Sequence, residues 1–329
     1  MTLENAAAVE SSKTIKISNA GEDSSWLEGL DFLWLEITNQ CNLSCVHCYA
    51  GSAPTNLLTL GMEYKDWCSV MEEAASLGCR KIQFIGGEPT VHPHLPDLIV
   101  DARRIGFDFI EVYTNGTRLT EELCRHLSEN CVNLAVSFYG SQATVHDAVT
   151  TRRGSFAKTV SGIERALRYD IPIRVGIISM EENWHDLENT KALLESLGVT
   201  NVGTDRLRGI GRGGDRNRVS DPFEELCGAC WRGKLSVNSA GEVSPCVFSH
   251  FCNVGHISEG LENILMKPVL HDFRSHTRAK ESLSWCTPPE CNPWCFPNKC
   301  DPERCDPIIE VRINNRYSNY SRVQGRSEA

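Results

Sequence analysis

Three cysteines fall within eight residues at Cys41-Asn-Leu-Ser-Cys45-Val-His-Cys48, directly after the apolar run Phe32-Leu-Trp-Leu-Glu-Ile37 and the polar Thr38-Asn39-Gln40. No other feature restricts the chain so tightly. A disulfide would use two thiols and leave one over, and tetrahedral zinc would need a fourth ligand. A [4Fe–4S] cluster can take three thiolates and keep one iron open. The spacing favours the cluster, with a zinc knuckle as the alternative. A second motif, Gly86-Gly87-Glu88-Pro89, ends the next apolar run, Lys81-Ile-Gln-Phe-Ile85. Two motifs at successive strand ends constrain the chain more than either does alone.

With 329 residues, 41% of them hydrophobic and 23% charged, the chain can bury a full core in one large domain or two ordinary ones. Residues 1–25 lack a basic start followed by an apolar core, and no apolar run approaches membrane-spanning length. The reading is therefore cytoplasmic, with no membrane partner. Sixteen cysteines in a long chain without a signal peptide point to metal rather than disulfides. The formal net charge of −10 argues against nucleic acid as a partner.

Residues 1–30 read as a weakly structured lead-in. From Phe32, β-rich runs at 32–38, 81–86, 109–114, 132–138, 172–179 and 200–206 alternate with helical patterns near 62–77, 94–105, 119–129, 155–169 and 184–197. That alternation predicts βαβ units and a parallel sheet over a first domain at 31–218. Ligands then belong at the strand C-terminal ends, where helix N-termini offer positive dipole ends. The segment from Arg206 to Arg218 carries five arginines among glycines and reads as a solvated linker, or else as a clamp for a carboxylate, phosphate or acidic peptide. A second, α+β domain at 219–308 includes a hairpin of 234–238 with 242–245, and 309–329 form a polar tail.

Cys41, Cys45 and Cys48 match without a gap the Cys-x3-Cys-x2-Cys hallmark of the radical S-adenosylmethionine (radical SAM) superfamily, which the chain resembles. The Gly86–Pro89 motif fits the same resemblance, as does the stretch from Ser141 to Phe156 with His146-Asp147 and Gly154-Ser155-Phe156. The likeness spans most of 32–308. It implies an α/β fold, a partial (β/α)6 TIM-like barrel with a cysteine-rich SPASM-like extension. It also implies an enzyme in which SAM binds the open iron of a [4Fe–4S] cluster and is cleaved reductively to methionine and a 5′-deoxyadenosyl radical. By the same resemblance Gly86, Gly87, Glu88 and Pro89 hold the methionyl ammonium, Asn115 and Ser137 contact ribose or carboxylate, and His47 or Tyr49 packs near the adenine or the cluster. Read as residues alone, these positions are equally ordinary turns, caps and loop covers.

The extension opens Cys227-Gly-Ala-Cys230, then ten residues, Gly241, four residues and Cys246, which matches the start of a SPASM or twitch pattern. Cys252, Cys286, Cys291, Cys295, Cys300 and Cys305 follow, but their spacings depart from the usual later signature. Nine thiols suffice for one or two auxiliary [4Fe–4S] clusters, with tetrathiolate zinc as the alternative. Cys68, Cys79, Cys124 and Cys131 read as apolar fillers, one of which could instead donate a hydrogen atom. The resemblance implies modification of a ribosomally made peptide by cross-linking, oxidation or epimerisation. The alternatives are a dehydrogenase, epimerase or decarboxylase of a sugar, nucleoside or other small metabolite, and a non-enzymatic zinc or iron–sulfur scaffold or electron carrier. A low-potential electron donor such as flavodoxin or ferredoxin is implied as a partner. About thirty residues before the barrel are too few for a folded recognition domain, which weakens the leader-peptide reading unless a separate peptide-recognition protein supplies that role.

Overall fold

The computed structural model describes residues 29–216 and 220–283. In chain order the first part consists of β1 (Phe32–Thr38), α1 (Tyr64–Ser76), β2 (Lys81–Gly86), α2 (Leu95–Ile105), β3 (Phe109–Thr114), α3 (Glu121–Glu129), β4 (Asn133–Ser137), α4 (Ala143–Thr150), α5 (Ser155–Arg168), β5 (Ile173–Ser179), α6 (Leu187–Ser196) and β6 (Asn201–Arg206). All six strands run parallel in the order β6-β5-β4-β3-β2-β1, as the βαβ alternation predicts. The α4 helix inside the Ser141–Phe156 stretch is an addition to the sequence reading. Its short segment is rich in β-branched residues and carries little helical propensity. It is held by burying His146, Val149 and Thr150, and it stops at Thr151 in a left-handed conformation.

Side chains alternate across a strand, so each strand presents two different faces. Leu33, Leu35, Ile37, Ile82, Phe84, Ile110, Val112, Leu134, Val136, Val175 and Ile177 form one face and pack in a single core with helix residues such as Trp67, Met71, Leu98, Leu127 and Ile163. The residues between them, including Trp34, Gln83, Tyr113, Ser137 and Arg174, line a cavity on the concave side. Parallel strands buried on both faces read as continuous apolar runs. The polar and aromatic residues at every second position here mark a face turned toward a site.

The predicted hairpin forms as β7 (Lys234–Val237) and β8 (Glu242–Ser244), followed by a short β9 (Gly255–His256). It does not start a sheet of its own. β7 pairs parallel with β1, Phe32 opposite Lys234 and Leu35 opposite Val237, so one nine-stranded sheet carries both parts of the chain. An open half-barrel leaves the β1 edge with unpaired amides and carbonyls, and β7 satisfies them. Then α7 (Leu261–Leu265) and α8 (Pro268–Leu283) bury Leu261, Ile264, Leu265, Leu270 and Phe273 in the same core. The sequence reading named no helix in this stretch, so both are additions to it.

Leu235, fully buried on the helix-facing side of β7, couples the two parts. Truncation as Leu235→Ala is expected to cost ~2–5 kcal/mol and to lower one shared thermal transition of barrel and extension, followed by circular dichroism. Two separate transitions with the barrel's unchanged would contradict the shared sheet.

Candidate active site

The two sequence motifs meet backbone to backbone. After β1 the chain turns through Thr38–Gln40 into the three-cysteine loop, and the turn after β2 lies against it. The Gly87 amide donates to the Thr38 carbonyl at 2.7 Å and the Glu88 amide to the Gln40 carbonyl at 2.9 Å. A Cβ at Gly86 would lie 2.4 Å from the Thr38 carbonyl oxygen, and one at Gly87 2.1 Å from that of Gln40. The glycines are therefore required by chain-to-chain approach, beyond the approach of a ligand that the sequence suggested.

Glu88 is 1% exposed, and both oxygens of its carboxylate are held by the protein. One oxygen accepts from the Thr90 amide (3.1 Å), the Thr90 hydroxyl (2.7 Å) and the Thr114 hydroxyl (2.6 Å), and the other from the Asn115 amide (2.7 Å). Three donors crowd one oxygen and a single donor meets the other, which keeps an acceptor position open. Burial nevertheless outweighs them and raises its pKa. Asn115 carries the connection onward: its side-chain amide donates to Asn42 Oδ1 at 2.8 Å and lies 3.8 Å from Cys41 Sγ. Asn42 donates to Thr117, which in turn donates to Asn115. Thus Glu88 and Asn115 tie the ends of β2 and β3 to the cysteine loop.

Cys41, Cys45, Cys48, Tyr49, Gly86, Gly87, Glu88, Asn115 and Ser137 all line one cavity of about 310 Å³ above the strand ends. Pro89, buried at the start of a short 3-10 turn, does not line it. Cys227, Cys230 and Cys246 line the same cavity. Cys230 Sγ donates to Cys246 Sγ at 3.4 Å, and the hydrogen bonds of this trio lower the thiol pKa values of Cys227 and Cys246 while raising that of Cys230. Cys252 lies apart, in the apolar core, where burial pushes its pKa to about 12. Cys286, Cys291, Cys295, Cys300 and Cys305 lie outside the described residues. Cys79 and Cys124 are buried fillers, Cys68 is partly buried and Cys131 is exposed; none of the four lines the cavity.

The glycine- and arginine-rich segment is no solvated linker. Arg212 donates from its guanidinium to the Cys45 and Ser52 carbonyls, both at 2.8 Å, and from its backbone to the Cys48 carbonyl at 3.0 Å. Beside it, Gly211 has φ +56°, and a Cβ there would stand 2.2 Å from the Tyr49 carbonyl oxygen. Arg206 binds Glu225 at 2.9 Å, Arg208 pairs with Asp205 at 2.6 Å and lies over the Phe248 ring, and Arg216 pairs with Glu182. Arg218 lies outside the described residues. The segment clasps the cysteine loop, and its four described arginines are engaged by protein partners.

Three buried polar atoms among the cavity-lining residues have no hydrogen-bond partner in the protein: His47 Nδ1, the Tyr49 hydroxyl and Ser52 Oγ. Buried polar groups are ordinarily satisfied, so these mark where a bound group would supply partners. Burial, with the nearby Glu88 charge, pushes the Cys41 pKa to about 12, and burial raises that of Cys45. Such thiols ionise only when a positive centre holds them, as metal coordination does. Among the described residues, no three His, Cys, Asp or Glu side chains converge on one point as a mononuclear ion requires. The thiols, the side-chain-free turn and the orphaned polar atoms fit an iron–sulfur cluster with a small polar cosubstrate.

Several residues at or behind the cavity wall were missed by sequence reasoning: Gln83 and Arg174 line the cavity, whereas Glu111, Glu36 and His250 support it without lining it. Glu111 holds Arg174 through two hydrogen bonds of 2.8 and 2.7 Å and also accepts from Gln83, giving the cavity floor a buried charged pair. Glu36 accepts from Ser236 at 2.8 Å and from His250 at 2.6 Å, a contact between barrel and extension. Only the polar residues at alternate strand positions hinted at them. Burial alone would lower the pKa of His250, but Glu36 outweighs it and holds the imidazole up to about 9.

Thiol-bearing loops from two parts of one chain, facing a common cavity over the ends of parallel strands, define an iron–sulfur type of α/β half-barrel protein. The family model described as the radical SAM superfamily matches residues 35–194, and the one described as an iron–sulfur cluster-binding domain, SPASM, matches 217–292. The chain belongs to the radical SAM superfamily and carries a SPASM domain. It is 28% identical to the antilisterial bacteriocin subtilosin biosynthesis protein AlbA of Bacillus subtilis over 72% of this chain and 59% of that protein. It is 28% identical to the AdoMet-dependent heme synthase of Methanosarcina barkeri over 74% and 69%, and 30% identical to the PqqA peptide cyclase of Rhodopseudomonas palustris over 46% and 40%. It thus spans well under two thirds of the first and third of these. Streptococcus suis SuiB, solved with S-adenosylmethionine, shares the fold with a TM-score of 0.62 at 13% identity, over 75% of this chain and 68% of that one.

In Glu88→Gln an amide NH2 must face a protein donor. The substitution is expected to destabilise the protein itself by ~1–3 kcal/mol, measured by chemical denaturation without SAM. Unchanged stability would leave Glu88 free to act on a ligand alone. A second measurement concerns His250. Its folded pKa lies above the ordinary 6.5, so the pair with Glu36 contributes fully below about pH 6.5 and is lost as pH rises through about 9. The stability gap between wild type and Glu36→Gln should therefore shrink across that range, and a constant or widening gap would refute the pairing.

Proposed function

We propose that this protein is a radical SAM enzyme that modifies a ribosomally made peptide in natural-product maturation. The observation that carries the chemistry is the single cavity shared by Cys41, Cys45 and Cys48 with Cys227, Cys230 and Cys246. A reduced cluster holding SAM supplies a 5′-deoxyadenosyl radical, which takes a hydrogen atom from the substrate. The chain's own residues hold and orient. Cys41, Cys45 and Cys48 hold the cluster on a loop fixed from beneath by the Gly86–Glu88 turn and from the side by Arg212. Glu88 keeps Asn115 and the Gly86–Gly87 turn in place around the methionyl end, and its second oxygen, which accepts only from the Asn115 amide, has an acceptor position left for the ammonium. Tyr49, His47 and Ser52 offer unpaired polar atoms to the bound groups, and Ser137 lies at the far strand ends.

Cys227, Cys230 and Cys246, which line the same space, would hold an auxiliary cluster, and such a cluster would supply an electron acceptor for the oxidation of a substrate radical. The peptide class is supported by the curated relatives whose names record bacteriocin biosynthesis and peptide cyclisation. A low-potential flavodoxin or ferredoxin and a separate peptide-recognition protein are the proposed partners. Among the described residues no helix is long and apolar enough to cross a membrane, and a reducing cytoplasm suits so many free thiols.

The test uses anaerobically reconstituted protein, with iron, 5′-deoxyadenosine and modified peptide measured separately. Cys41→Ala, Cys45→Ala and Cys48→Ala together are expected to remove about four irons and all deoxyadenosine. Cys230→Ala with Cys246→Ala is expected to keep deoxyadenosine and lose product. Stoichiometric zinc with no deoxyadenosine from wild type would refute the proposal.

A further inference from the structure

A second cavity, of about 360 Å³, adjoins the cysteine loop. Arg118, Arg152, Arg153 and Lys158 line it, together with Asn42 and Leu43 from between the first two cysteines. Leu43 also lines the barrel cavity, so one layer of loop separates the two spaces. All four cations are exposed. Arg118 reaches the Thr90 carbonyl and Arg152 the Asn42 carbonyl, each only at 3.4 Å. No carboxylate pairs with any of the four among the described residues. In a chain of net charge −10, four uncompensated positive charges at one cleft create a local field opposite in sign to that of the whole molecule.

We propose that this cleft is the docking surface for an acidic one-electron donor protein. The inference rests on the proposed function and adds where the donor binds and what charge it carries. The barrel side of the cysteine loop faces the cavity that cosubstrate and substrate must fill, so an electron arriving during turnover has to enter from outside. The cleft lies against that outer side. One electron leaves the reduced donor and passes through the Cys41–Cys45 loop to the oxidised cluster, with no bond made or broken and no proton moved. A nucleic acid would meet the same cations, but no aromatic side chain lines the cleft to stack a base.

The experiment follows cluster reduction by anaerobic stopped-flow absorbance in the reconstituted full chain, with reduced flavodoxin and with photoreduced 5-deazariboflavin, a small uncharged donor. Arg153→Glu with Lys158→Glu is expected to slow reduction by flavodoxin about tenfold or more at low ionic strength. The gap should close as salt screens the surface, while reduction by deazariboflavin stays at the wild-type rate. The charge-keeping Arg153→Lys should behave as wild type. A flavodoxin rate in the double variant within about twofold of wild type at low salt would overturn the proposal and assign the cleft to another anion. If neither donor yields a reduced cluster in the wild-type protein, the proposed function itself falls, and the docking proposal with it.

Discussion

The site depends on one close approach between two stretches of main chain. The turn after β2 lies so near the segment leading to Cys41 that neither Gly86 nor Gly87 has room for a Cβ, and two amide-to-carbonyl bonds lock the stretches together. Everything functional is referenced to that contact. The cysteine loop inherits its height above the sheet from it, Glu88 is delivered to the end of β3, and Asn115 is thereby drawn to Asn42 and Cys41. Main-chain contact is stiffer than any arrangement of long side chains, and cofactor chemistry needs that stiffness, because small misplacements of reacting groups cost large factors in rate.

A second constraint comes from outside the six-stranded half-barrel. Arg212 grips three carbonyls of the cysteine region from a segment that only follows β6, and β7 closes onto β1 through ordinary parallel pairing. The extension is thus built onto the barrel sheet. Its first thiols are carried to the rim of the same cavity by the strand that satisfies the β1 edge. The pair of Glu36 with His250 joins barrel to extension, and Glu111 holds the cavity-lining Arg174 from behind, where an unpaired buried charge would be costly.

Much of this was legible in the sequence, for identifiable reasons. The six strands were readable because short apolar, β-rich runs recur between helical patterns, and the motifs because their spacing is local: Cys41 to Cys48 lie within one loop and Gly86 to Pro89 within one turn. What depends on distant partners was not. Glu88 reads as a free carboxylate until Thr90, Thr114 and Asn115 are seen around it. Arg212 reads as linker charge until the Cys45 and Ser52 carbonyls appear beneath it. The addition of β7 to the edge of β1 is invisible locally, because the hairpin looks the same whichever sheet it joins. α4 was missed because burial of His146 and Val149, rather than propensity, holds it.

The central claim is that the thiols of the cysteine loop and those of Cys227, Cys230 and Cys246 hold clusters facing one small cavity. Two paramagnetic clusters so placed must feel each other's spins. Electron paramagnetic resonance of the fully reduced, reconstituted protein measures this directly. The account predicts a spectrum broadened and faster-relaxing than the sum of those from variants that each retain a single set of thiols. A spectrum equal to that sum would place the two sets in separate sites and contradict the account.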